Sequence, residues 1–191
     1  MTEVVQQSLQ VLRNGGLLLY PTDTLWGVGC DATNEKAVEK VYALKQRADN
    51  KSLILLVSEM DMVSRYVSQV PAIAYNLTEV ADAPLTLIYP QARGLAANVP
   101  AADGSVALRI VQHDFCRQLL RLFCRPLVST SANLSGQLPP AFFAQVPDEI
   151  KNGCDFIVPA AYEGAPTRKP SPIIKLGLHD EVEVIRKGGE G

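Results

Sequence analysis

Apolar runs of strand length alternate with segments of helical period along the whole chain, and this rhythm limits the fold more than any other feature. "GLLLYP" (16–21), "SLILLV" (52–57), "SVALRI" (105–110) and "PLVSTS" (126–131) read as strands. The second is apolar without alternation and is therefore expected to be buried on both faces. Helices are expected at about 3–14, with Thr2 as N-cap and the Gly15–Gly16 pair as stop, and from the cap Asn34 through "EKAVEKVYALKQR". Further helices are expected at about 59–69, 71–80, 114–123 and 141–151. Paired strands at the start ("GLLLYP", "LWGVGC") and at the end ("SPIIKL", "EVEVIR") break strict βαβ alternation. The pattern implies one domain over residues 1–191: an αβ layered fold with a twisted mixed sheet of seven or eight strands and helices on both faces.

Composition narrows the class. With 47% hydrophobic and 20% charged residues the chain is an ordinary globular protein. No apolar run approaches the roughly 18–20 residues that span a bilayer, and the first sixteen residues lack the basic start and apolar middle of a signal peptide, so a cytoplasmic location is expected. A net charge of −2 argues against a chain that coats nucleic acid nonspecifically. The four cysteines form no C-x-x-C pair and stand apart from His113 and His179, so buried reduced thiols are expected and no metal site. Each histidine reads as a surface or capping residue.

Four places hold side chains that the fold alone does not require. Extending the apolar face of the second helix from Val38 and Val41 lands on Lys45, where a core residue would be expected, and Arg47 and Lys51 follow. Lys45 either snorkels past the core edge while the other two face solvent, or the cluster neutralises a phosphate, with Arg47 as a bidentate fork. "PTDT" (21–24) is a good turn, yet it also puts the Thr22 and Thr24 hydroxyls at a strand end. Arg109 shares one face of its strand with Ala107; if that face is covered, the guanidinium needs an anionic partner, and a substrate carboxylate is a candidate. In "VSTSANLSG" (128–136), short hydroxyl and amide side chains crowd a strand end, as they do in turns and anion sites. Neither G-x-x-x-x-G-K-[ST] nor G-x-S-x-G occurs, and carboxylates are sparse near these loops.

Together "YPTDTLWGVG" (20–29), "LKQR" (44–47), "SVALRI" (105–110) and "STSANLSG" (129–136) resemble the YrdC-like family of threonylcarbamoyl-AMP synthases, in its short single-domain form. The resemblance implies an α+β, three-layer YrdC-like fold with a twisted mixed sheet of about seven strands, helices on both faces and a large concave cavity. It also implies synthesis of L-threonylcarbamoyladenylate and pyrophosphate from L-threonine, bicarbonate and ATP, with Mg2+ accompanying the ATP. The product feeds N6-threonylcarbamoyladenosine at position 37 of tRNAs reading ANN codons, through a downstream threonylcarbamoyl transferase machinery.

Carried over by motif, Lys45, Arg47, Ser105, Ser131, Asn133 and Arg186 fall on the ATP side, with Lys45 and Arg47 the expected catalytic pair. Thr22, Arg109, Ser129 and Ser171 fall on the threonine side. The sequence departs from the family pattern at Trp26, where a tyrosine is usual, and at Pro172 and Lys175, where threonine and aspartate are frequent. An RNA-binding module and a same-fold paralogue with another substrate stay open as alternatives.

Overall fold

Nine short strands share one mixed sheet, two more than the roughly seven expected, because the terminal pairs and a two-residue strand all join it. The computed structural model describes residues 2–46 and 53–189. The strands are β1 (Leu18–Tyr20), β2 (Gly27–Gly29), β3 (Ile54–Val57), β4 (Thr86–Tyr89), β5 (Val106–Ile110), β6 (Leu127–Ser131), β7 (Phe156–Ile157), β8 (Ile173–Leu176) and β9 (Val182–Arg186). Their order across the sheet is β7-β1-β2-β6-β3-β5-β4-β8-β9. The pairs β1–β7, β3–β5 and β4–β8 are parallel and the rest antiparallel.

The helices are α1 (Thr2–Arg13), α2 (Glu35–Lys45), α3 (Met60–Tyr66), α4 (Ala72–Val80), α5 (Asp114–Phe123) and α6 (Asp148–Asn152). Asn34 caps α2 as expected, its side chain accepting the Ala37 N–H at 3.2 Å. Val5, Leu9 and Leu12 are buried on α1, which packs on the apolar face of α5 (Phe115, Leu119, Phe123). The strand β3 is nearly all buried, in keeping with its unbroken apolar run.

Several details differ from the sequence reading. Thr2 is already helical in its backbone, so it stands inside α1 rather than before it. The expected helix at 141–151 is a 3-10 turn (Phe143–Gln145) followed by the short α6, because Pro147, lacking an N–H, marks a new helix start. Cys30 and Cys116 are buried, but Cys124 is exposed just past the end of α5 and Cys154 is only half-buried. His113 sits at the N-cap position of α5 without capping it; it is buried, and its Nε2 lies 3.1 Å from the Glu163 carbonyl oxygen.

One close approach fixes the middle of the sheet. A Cβ on Gly29 would lie 2.0 Å from the Val128 carbonyl oxygen and 2.8 Å from the Tyr20 ring, so β2 meets its neighbours only because this position carries no side chain.

Candidate functional site

The register of the central strands turns a row of small and polar side chains to one face. Gly27 pairs with Ser131, Ser129 with Ile54, and Ile54 with Ala107, so β2, β6, β3 and β5 present these residues on a common face. Ala107 then pairs with Ile88, and Arg109 with Thr86, whose other neighbour is Ile173. Because side chains alternate along a strand, these paired positions share a face, and Val106 and Leu108 go to the opposite one. A cavity of about 470 Å³ opens there, in the range of about 300–1,000 Å³ usual for small-molecule sites.

The turn at 22–26 closes one side of the cavity, Gln137 and Pro139 another, and Pro170 and Ser171 a third. Trp26, which is 1% exposed, forms part of the wall, its ring 4.8 Å from that of Phe143.

Of the residues named from sequence, Thr22, Arg109, Ser129, Ser131, Ser171 and Arg186 line this cavity. Lys45 and Asn133 stand immediately behind the wall. The Lys45 ammonium, buried at 3% exposure, donates to the main-chain carbonyls of Ser131 and Asn133 and to Asn133 Oδ1 at 3.3 Å. The main-chain N–H of Ser135 returns to the Lys45 carbonyl at 3.1 Å. Asn133 completes the loop by donating through Nδ2 to the carbonyls of Leu134 (3.0 Å) and Gln137 (2.7 Å). The snorkelling alternative for Lys45 is therefore wrong: the last residue of α2 ties two distant polar segments together beside the cavity.

Arg47 and Lys51 lie outside the described residues. Ser105 is not on the cavity wall; its hydroxyl donates to Asp103 at 2.5 Å in the turn before β5.

The charge on the wall is one-sided. Among the described lining residues, the ionisable groups are Arg109 and Arg186, and no carboxylate is present. Arg186 donates through Nε and Nη2 to the Ser171 carbonyl (3.2 and 2.8 Å), and burial together with the nearby Arg109 charge lowers its pKa. Arg109, 5% exposed, has its expected anionic partner inside the protein: Asp23 Oδ1 is 3.2 Å from Nη2. Its other contacts are long, 3.4 Å to Ser171 Oγ and 3.5 Å to Thr22 Oγ1, and Nε has no hydrogen-bond partner among the described residues.

Thr22 serves the turn as well as the wall. Its hydroxyl donates to the Leu25 carbonyl (2.8 Å) and accepts the Thr24 N–H (3.1 Å). Hydroxyls, guanidiniums and Trp26 line the space, an arrangement suited to an anionic ligand.

The sequence profile of the Sua5/YciO/YrdC family, described as "Telomere recombination", matches residues 10–188. The chain belongs to this family. Within it, the chain is 36% identical over 172 residues to the threonylcarbamoyl-AMP synthase of Idiomarina loihiensis, covering 87% of this chain and 92% of that one. It is 34% identical over 191 residues to the enzyme of the same name from Vibrio cholerae, covering 98% and 99%. Among solved members of the Sua5/YciO/YrdC family, P. abyssi Sua5 complexed with L-threonine superposes with a TM-score of 0.81 at 26% identity. That match covers 90% of this chain and 50% of the P. abyssi chain.

Sequence reasoning did not find the Asp23–Arg109 pair, the apolar strip of Ile54, Ile88 and Ile173, or Gln137 on the wall. Period-2 alternation carried the signal for the apolar strip. The ion pair joins residues far apart in the chain and left no local trace.

Proposed function

We propose that this protein is an L-threonylcarbamoyladenylate synthase, using L-threonine, bicarbonate and ATP and releasing pyrophosphate. The observation that carries the reading is the cavity wall: among the described residues it holds two guanidiniums, no carboxylate and a row of hydroxyls, backed by the Lys45–Asn133 clamp. The names of the relatives agree with it, as does the P. abyssi Sua5 structure, a complex of that protein with L-threonine.

The chemistry needs no protein nucleophile. The amine of threonine attacks CO2 derived from bicarbonate, forming an N–C bond and losing a proton to give a carbamate. A carbamate oxygen then attacks the α-phosphorus of ATP in line, and the bond from that phosphorus to the pyrophosphate oxygen breaks. Placement and charge stabilisation supply the rate.

Arg109 takes the threonine carboxylate, beside Thr22, Ser129 and Ser171. Ser131 and the loop that Asn133 organises face the phosphates, with Lys45 as a nearby positive charge, Arg186 at the nucleotide side, and Arg47 assigned to the ATP by its family motif alone. Mg2+ enters as the ATP complex. Among the described residues no group of three or more His, Cys, Asp or Glu is placed to hold a metal, so phosphate and water carry the ion. The adenylate is destined for a transferase that modifies adenosine 37 of tRNAs reading ANN codons. No helix among the described residues is long and apolar enough to cross a membrane, and we assign the reaction to the cytoplasm.

The test is pyrophosphate release by the purified protein. Release should require ATP, L-threonine and bicarbonate together, with threonylcarbamoyl-AMP detected by mass spectrometry. Release that ignores omission of threonine or bicarbonate overturns the proposal.

A further inference from the structure

Asp23 is a buried carboxylate that the proposed chemistry does not use. Its residue is 8% exposed, in the turn between β1 and β2, and it does not line the cavity. Oδ2 accepts the main-chain N–H of Gln112 at 2.8 Å, just past β5, and its main-chain carbonyl accepts the Thr167 N–H at 2.9 Å. With one oxygen held by a backbone amide, the other is fixed in direction, and that one lies 3.2 Å from Arg109 Nη2, an ion-pair contact without hydrogen-bond geometry that acts on the guanidinium through its charge.

The guanidinium itself is loosely held everywhere else. Its two hydroxyl contacts are 3.4 and 3.5 Å long and its Nε is unpartnered among the described residues, yet it is buried on the cavity wall. A planar fork with spare N–H groups binds a carboxylate well only if its plane is set beforehand.

We propose that Asp23 is a positioning residue: anchored by the Gln112 amide, it holds one edge of the Arg109 guanidinium so that the remaining N–H groups face the carboxylate of the amino acid substrate. The inference rests on the reading that the cavity binds L-threonine. It assigns to the aspartate of "PTDT" a part that neither ATP contact nor turn formation requires. Asp23→Asn keeps the volume but removes the charge, and with the amide oxygen retained by the Gln112 N–H it turns an NH2 group toward a guanidinium that needs an acceptor.

The experiment is calorimetric titration of L-threonine and, separately, ATP into the wild type, Asp23→Asn, Arg109→Gln and the double variant, with circular dichroism and melting temperature as fold controls. The expected result is threonine binding weakened at least tenfold in Asp23→Asn and ATP binding within twofold of wild type. The double variant should bind threonine no more weakly than Arg109→Gln alone, since a residue acting through Arg109 has nothing left to lose.

Additive losses, or equal weakening of both ligands, show a structural role and overturn the inference. Threonine binding as tight as wild type or tighter in Asp23→Asn overturns it too, because Asp23 is then idle or a competitor for the guanidinium. If Asp23→Asn does not fold, Asp23→Glu replaces it in the cycle, its charge displaced by one methylene, with the same expected loss. A wild type that binds threonine but releases no pyrophosphate defeats the proposed reaction and leaves this inference to the cycle. A wild type that binds no threonine defeats both.

Discussion

Replacing Lys45 by methionine separates what its ammonium does for the fold from what it does for the reaction. The two stems are of similar length, so the change leaves the Asn133 carbonyl and Asn133 Oδ1 without the ammonium and strands two acceptors, while the Ser131 carbonyl keeps the Asn133 N–H at 2.9 Å. At about 1–3 kcal/mol for each buried acceptor left without a donor, the gross loss is about 2–6 kcal/mol. Removing a buried ammonium from the folded state offsets about half of this through desolvation. The net loss is thus about 1–3 kcal/mol.

In a chain of this size each kcal/mol lowers the melting temperature by about 2–4 °C, so Lys45→Met should melt between about 2 and 12 °C below wild type. Differential scanning calorimetry without ligands reads this directly. A melting point within about 2 °C of wild type refutes the argument that the ammonium holds the "STSAN" loop. Because that loop carries Ser131, which we propose faces the ATP phosphates, pyrophosphate release measured well below the variant's melting temperature should fall at least tenfold. A destabilised variant with wild-type turnover would show that the loop's order is irrelevant to the nucleotide.

Three further outcomes follow from side chains outside that clamp. Trp26 is the chain's single tryptophan and forms part of the cavity wall, so saturating ATP should change its emission intensity or maximum, and an unchanged spectrum places the nucleotide elsewhere. Cys124 should be alkylated first by iodoacetamide at about pH 8: it is exposed, whereas burial raises the thiol pKa of Cys30 and Cys116 and pushes that of Cys154 up to about 12. Peptide mass spectrometry that finds Cys116 labelled first refutes this. Asp103 is held below the usual carboxylate range by Lys175 at 2.7 Å and by Ser105, and the Lys175 pKa is raised in return. The carboxylate's contribution is present above its unfolded pKa and fades as pH falls through the lower folded value. The lysine's is complete below its unfolded pKa and fades as pH rises through the higher one. Between about pH 5 and 9 Asp103→Asn should therefore cost under about 1 kcal/mol, since both groups are solvent-exposed, and the difference from wild type should shrink toward about pH 2 in acid-titrated melts.

How much of the molecule the chain announces depends on the range of the interaction involved. Asn34, the apolar stripe of α1 and the unbroken run of β3 act within one element, and each stands where its local pattern puts it. The exceptions are local as well: Pro147 divides an expected helix because a missing N–H outweighs the apolar period around it. Lys45 was legible for the opposite reason. A charge at a core position is a contradiction within the helix, and a contradiction of that kind demands a partner even when its identity is hidden.

What the chain does not announce is which distant group answers the demand. For Lys45 the answer is three oxygens of the "STSAN" loop; for Arg109 it is Asp23, from a turn that reads as an ordinary turn. Both answers are set by strand order: β6 lies between β2 and β3, and the turn entering β2 meets the end of β5 across the concave face. The cavity is therefore a consequence of sheet topology, a long-range property. Its chemistry is a consequence of period-2 alternation, which the single strand already displays in Ala107 and Arg109.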